Sequence, residues 1–152
     1  MQTSRLKVIF GEILYNKLKQ KYTIEEIYRQ CQPSFPIEYA VSRLQAENYK
    51  LAVCSNSVRK SVEVMLERSM IIDFFDLLLS NEDVENPKPA PDMYIQCMKQ
   101  LAISPEETLI IEDSAVGIEA AQQSGAHVLT VNDVSEVNYA TIQKKIARLS
   151  GC

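Results

Sequence analysis

The strongest constraint in this sequence is a set of short apolar runs, each paired with a helical pattern. Leu51–Cys54 and Thr108–Ile111 show no polar–apolar alternation, as expected of strands buried on both faces. A helix is predicted after each: Ser57–Ser69, carrying Val58, Val62, Met65 and Leu66, and Ser114–Ser124, which Gly125 stops. His127–Val131 reads as a further strand and Phe74–Leu79 as a shorter one. Ile37–Asn48 and Asp92–Leu101 supply further helices, and Ser104-Pro105-Glu106-Glu107 reads as a helix start or tight turn. Strands alternating with helices predict an α/β domain with a mostly parallel sheet.

The N-terminal segment has a different texture. Leu6, Phe10, Ile13, Leu14, Leu18 and Tyr22 recur at steps of three and four, the period of an amphipathic helix. Thr23 with Glu26 makes a capping-box pattern for a second short helix, and Pro33 and Pro36 suggest a boundary. The expected division is an N-terminal segment over 1–35 followed by an α/β core over 36–152. Composition narrows the function classes. The 152 residues carry 16 basic and 20 acidic side chains, a net charge of −4, which argues against a nucleic-acid-binding face. No apolar run nears the roughly 20 residues of a membrane span, and no signal-peptide profile opens the chain. Cys31, Cys54, Cys97 and Cys152 lie far apart without a CxxC pair. Reduced thiols and a cytoplasmic location are therefore expected, rather than a zinc site or a disulfide framework.

Three polar clusters fall where parallel sheets place ligands, outside the carboxyl ends of the strands. Ser55-Asn56-Ser57 follows the first buried run and precedes a helix. A hydroxyl and free N–H groups there can bind phosphate, or the serines can simply cap the helix. Lys88 lies within Asn86-Pro87-Lys88-Pro89-Ala90-Pro91-Asp92, where prolines stiffen the loop around one cation; alternatively it is an ordinary solvated lysine. Glu112-Asp113-Ser114 closes a strand and opens a helix. Adjacent carboxylates suit magnesium, a hard cation that takes oxygen ligands, or else Asp113 or Ser114 caps the helix.

In order and context these clusters resemble motifs of the haloacid dehalogenase-like superfamily, most closely its β-phosphoglucomutase and small-phosphatase branch. The matching stretches are Lys50-Leu51-Ala52-Val53-Cys54-Ser55-Asn56-Ser57, then Lys88-Pro89-Ala90-Pro91-Asp92, then Ile110-Ile111-Glu112-Asp113-Ser114-Ala115-Val116-Gly117, continuing to Ser124-Gly125-Ala126. The resemblance implies a Rossmann-like three-layer fold with the cap domain truncated or absent. It implies a Mg²⁺-dependent phosphatase or phosphomutase acting on a small phosphorylated metabolite. Ser55 and Asn56 would hold the phosphoryl group, Lys88 would neutralise charge, and Glu112 and Asp113 would hold Mg²⁺.

One part of the family pattern is missing. Members attack phosphate with the first aspartate of an Asp-x-Asp motif that ends the first, central strand; the second serves as general acid/base. The aspartates here are Asp73, Asp76, Asp83, Asp92, Asp113 and Asp133, and no Asp-x-Asp occurs. Either Leu6–Phe10 is a degenerate first strand, with Gly11 at the nucleophile's place and Ile13 at the second aspartate's, or residues 1–32 are the tail of a helical cap. The helical period favours the cap. Energetics keep the strand in play: five buried side chains at roughly 1.5–3 kcal/mol each are worth about 8–15 kcal/mol, comparable with a domain's whole stability of about 5–15 kcal/mol. Without that strand the sheet must close up, or take a strand from a partner chain or a second copy. The sequence thus supports an enzyme of this family that is incomplete or inactive as a single chain. The alternative is a non-catalytic phosphate- and Mg²⁺-binding or assembly module derived from the same fold.

Overall fold

The computed structural model describes residues 6–12, 14 and 24–151. Lys7–Phe10 forms strand β1, so the helix expected to run from Leu6 to Tyr22 does not exist at its start. Residues 15–22 and the Thr23 cap lie outside the described residues. The helical spacing misled because it skips Val8 and Ile9. Val8, Ile9 and Phe10 are consecutive and all fully buried, which is the pattern of a strand covered on both faces.

The remaining strands are β2 (Leu51–Cys54), β3 (Leu77–Leu79), β4 (Thr108–Glu112) and β5 (His127–Thr130). They form one parallel sheet in the order β3-β2-β1-β4-β5. Ile9 sits opposite Ala52 on one side and Ile110 on the other. The gap for which a partner's strand was one expected remedy is therefore filled by the chain's own β1. The boundary expected at residue 35 falls between β1 and the other four strands of its sheet, two of which, β2 and β4, pair with it directly.

Among the described residues, six helices cover the sheet: α1 (Ile24–Gln30), α2 (Phe35–Ala46), α3 (Arg59–Arg68), α4 (Asp92–Gln100), α5 (Ala115–Gln123) and α6 (Tyr139–Leu149). Pro36, expected to mark a boundary, sits in the first turn of α2, where its fixed φ and missing N–H are harmless. The Phe74–Leu79 run splits into a 3-10 turn at Ile72–Phe74 and the three-residue β3. Beyond the sequence expectations lies α6, although Tyr139, Ile142, Ile146 and Leu149 keep helical spacing and the Asn138 side chain caps it through the Thr141 amide at 2.9 Å.

The pleat divides the core in two. Val8, Phe10, Leu51, Val53, Leu109 and Ile111 pack against α1, α2, α3 and α6, while Ile9, Ala52, Cys54 and Ile110 pack against α4 and α5. This is the expected three-layer Rossmann-like arrangement. Chain order turns back between β1 and β4, since β2 and β3 lie to one side of β1 and β4 and β5 to the other. In such sheets the crevice for a ligand opens outside the carboxyl ends at that point.

Candidate functional site

The crevice is lined by the residues that follow each strand. Gly11 and Glu12 leave β1, Ser55 and Asn56 leave β2, and Glu112 ends β4 with Asp113 behind it. Lys88 reaches in from the loop before α4. The structure therefore brings together all five residues singled out from the sequence: Ser55, Asn56, Lys88, Glu112 and Asp113.

Lys88 is not a solvated loop lysine. Its side chain has no exposure, and its ammonium donates to Glu112 Oε1 at 2.8 Å, to the Cys54 carbonyl at 2.8 Å and to Glu12 Oε1 at 3.3 Å. The Tyr94 ring lies 4.8 Å from Nζ, within cation–π reach. The Lys88 main chain is clamped by Asn56: Lys88 N–H donates to Asn56 Oδ1 at 3.0 Å and Asn56 Nδ2 donates to the Lys88 carbonyl at 3.2 Å. Burial pulls the ammonium's pKa down, but the charges of Glu112 and Glu12 outweigh it and hold it above its usual value.

Glu112 is also fully buried. Its Oε1 accepts from Lys88, from the Tyr94 hydroxyl at 2.6 Å and from the Glu12 amide at 3.2 Å. Its Oε2 accepts from the Asp113 amide at 3.1 Å and the Ser114 hydroxyl at 3.3 Å. Burial would raise the Glu112 pKa, yet the Lys88 charge and the hydrogen bonds from Lys88 and Tyr94 leave it below the ordinary range. Burial, then the neighbouring Glu112 charge, push the Tyr94 hydroxyl well above its usual pKa, so it stays a donor. Burial likewise raises the Cys54 thiol, which is inert core packing beside the site.

The simpler capping alternatives hold at one cluster. Ser114 caps α5, accepting from the Gly117 amide at 3.1 Å. Helix α3, by contrast, has Val58 at its N-cap without a side-chain cap. Ser55 is 2% exposed, and its hydroxyl accepts from the Ser57 amide at 3.1 Å and donates to Glu12 Oε2 at 3.1 Å.

Of the two residues to which the resemblance assigns magnesium, Glu112 is already engaged by donors of the protein itself. Both Glu112 oxygens are committed to donors, one of them an ammonium at 2.8 Å. Among the described residues no group of three or more His, Cys, Asp or Glu side chains is placed to hold a metal ion. Glu112 and Asp113 stand side by side as expected, but Glu112 is engaged as the counter-ion of Lys88.

Glu12 and Tyr94 are the functional-site residues that the sequence reasoning missed. Glu12 had one legible signal, as the carboxylate immediately after Gly11. Tyr94 had none beyond its place on the buried face of α4.

The space around Gly11 is the other feature of the site. A Cβ built on Gly11 would lie 2.0 Å from Glu112 Oε1 and 2.6 Å from the Tyr94 hydroxyl. A Cβ on Gly117 would likewise lie 2.2 Å from Glu112 Cδ. The Glu112 carboxylate is therefore held in a slot that the missing side chains of two glycines leave open.

A family model described as haloacid dehalogenase-like hydrolase matches residues 3–131. A haloacid dehalogenase-like hydrolase domain-containing protein of Arabidopsis thaliana is 38% identical over 84 residues, which are 53% of this chain and 27% of that protein. Pyrophosphatase PpaX of Bacillus mycoides is 32% identical over 92 residues, 60% of this chain and 43% of its own length. The chain thus spans less than half the length of these two relatives. Among solved structures, β-phosphoglucomutase from Clostridium difficile superposes with a TM-score of 0.74 at 15% identity, covering 97% of this chain and 100% of that one. That last likeness is one of fold.

Proposed function

Because the chain belongs to the haloacid dehalogenase-like hydrolase family, we propose that it recognises the phosphoryl group of a small phosphorylated metabolite without transferring it. The group binds at the cradle made by the Ser55 hydroxyl, the Asn56 amide and the Lys88 ammonium. These are one neutral hydroxyl, one backbone donor and one fixed cation, a donor set suited to a phosphate oxyanion. The name of one matched relative, a pyrophosphatase, supports a phosphorylated ligand.

The observation that carries the absence of transfer is Gly11. Phosphoryl transfer needs an attacking oxygen in line with the leaving group. The resemblance puts that oxygen on an aspartate at the end of the central strand. Residue 11 has no side chain, and the Glu112 carboxylate lies where its first carbon would be. No step through magnesium is part of this reading, and neither is a nucleophile on residue 11.

Calorimetric titration with inorganic phosphate and with simple phosphate monoesters, beside a phosphate-release assay, tests the proposal. Binding is expected without release above background, and unchanged when Mg²⁺ is chelated. Phosphate release that scales with protein and disappears in Lys88→Ala would overturn it in favour of a phosphatase.

A further inference from the structure

The cradle already holds an anion, and it belongs to the chain itself. All three cradle donors converge on the Glu12 carboxylate. Its Oε2 accepts from the Ser55 hydroxyl at 3.1 Å. Its Oε1 accepts from the Asn56 backbone amide and from Lys88 Nζ at 3.3 Å. The Glu12 amide is meanwhile anchored on Glu112 Oε1 at 3.2 Å. The backbone of residue 12 is thereby fixed at the mouth of the crevice, with its side chain lying across the donors.

We propose that Glu12 is a built-in occupant of the phosphoryl site, a tethered carboxylate that closes the cradle until a phosphorylated ligand displaces it. This rests on the reading that the cradle of Ser55, Asn56 and Lys88 takes phosphate. The chemistry favours exchange. A carboxylate offers one negative charge and two oxygens; a phosphate monoester near neutral pH carries up to two charges and three free oxygens. The ligand can therefore satisfy the same donors more fully, while Glu12, whose side chain keeps 18% exposure, has a path toward solvent. Once displaced, Glu12 would stand beside the bound phosphate as a like charge, which also favours ligands with a cationic or hydrogen-bond-donating group nearby.

A self-occupied site has a quantitative signature. The apparent dissociation constant equals the intrinsic one divided by the fraction of time the site is open. If Glu12 leaves the cradle between about a tenth and a hundredth of the time, its removal tightens phosphate binding about 10- to 100-fold.

The test uses the full chain and inorganic phosphate as the probe. Phosphate affinity is measured by calorimetry for the parent, Glu12→Ala and Glu12→Gln. The Asn56 amide and the Glu12 side-chain carboxyl carbon are followed by NMR in the parent. Glu12→Ala is expected to bind at least tenfold tighter, with Glu12→Gln between it and the parent. In the parent, the Asn56 amide is expected to be protected from solvent, and phosphate should shift its resonance and the Glu12 carboxyl resonance along one binding curve. Equal affinity in parent and Glu12→Ala would overturn the occupancy while leaving phosphate recognition standing. Absence of binding in both, with Glu12→Ala folded, would instead overturn the recognition itself. Should the variants fail to fold, the parent alone decides: a solvent-exchanging Asn56 amide, or a Glu12 carboxyl resonance that stays fixed while phosphate binds, refutes the occupant.

Discussion

At the scale of single residues, the site is organised by one charge triad, buried Lys88 between buried Glu112 and half-buried Glu12, and by the glycines that admit it. An uncompensated buried charge is costly, and removing one partner of such a pair typically destabilises by about 3–5 kcal/mol; the donors around Glu112 therefore contribute to folding. Gly11 is small because Glu112 needs the space. Gly11→Ala must push a carboxylate away from Lys88 and Tyr94, or strain the end of the central strand. It is expected to lower stability by about 1–3 kcal/mol, the range for overpacking a filled interior, measured by urea denaturation. Unchanged stability would mean that Glu112 gives way freely. By the same geometry, a carboxylate introduced with Gly11→Asp is not expected to give phosphate release above the parent's in a phosphate-release assay while Glu112 remains in its slot. Ser55, Asn56, Lys88 and Glu112 were legible because each stands in a local context of strand end, loop and helix start. Glu12 was legible only as the carboxylate after Gly11, and its place in the site was not, because its partners lie 43, 44 and 76 residues away. Only the fold makes those neighbours.

At the scale of elements, the segment after β3 shows how local chemistry supports the cradle. Ser80 and Asp83 form a capping box around a short 3-10 turn. The Asp83 carboxylate accepts from the Ser80 amide at 2.7 Å, the Ser80 hydroxyl at 3.0 Å and Arg59 Nη2 at 2.7 Å. The Asn81 amide donates to the Ser57 carbonyl at 3.2 Å, which docks this turn against the cradle strand's exit. Burial would raise the Asp83 pKa, but the Ser80 hydrogen bonds and the Arg59 charge bring it below its ordinary 3.8. A carboxylate depressed on folding stabilises the native state above its unfolded pKa, and that contribution fades as pH falls through the folded value. Asp83→Ala is accordingly expected to cost about 1.5–3 kcal/mol near neutrality, the usual worth of hydrogen bonds to a charged group. The difference from the parent should shrink below pH 3.8, measured as denaturation midpoints across pH; a difference independent of pH would place the effect elsewhere. Strands β2 and β4 and helices α3, α4 and α5 were legible to within a few residues, since their periods and caps are local. Strand β1 was obscured because a four-residue strand and one face of a helix share apolar positions over so short a span.

At the scale of the whole molecule, β1 is the element on which both the fold and the site depend. It joins β2 and β4, which otherwise have no hydrogen-bonded contact in this sheet. The Val8 amide donates to the Lys50 carbonyl at 3.0 Å and the Gly11 amide to the Ile111 carbonyl at 3.0 Å. Its central residues feed both halves of the core, and its exit places Glu12 across the donors. The outer strands are less enclosed: β5 has no fully buried residue and β3 only one. Amides in enclosed central strands open only with global unfolding, whereas edge strands also open locally. Hydrogen exchange of the parent chain is therefore expected to rank Val8, Ile9 and Phe10 with Leu109–Ile111 among the slowest amides, ahead of β3 and β5. Exchange of β1 before the edge strands would remove it from the centre of the sheet, and with it the geometry that brings Glu12 to Lys88. The same experiment with saturating phosphate separates the two roles: displacement of Glu12 is expected to quicken or slow exchange at residues 12 and 56 while leaving Val8–Phe10 unchanged, because the strand's protection comes from its neighbours in the sheet and not from the ion at its end.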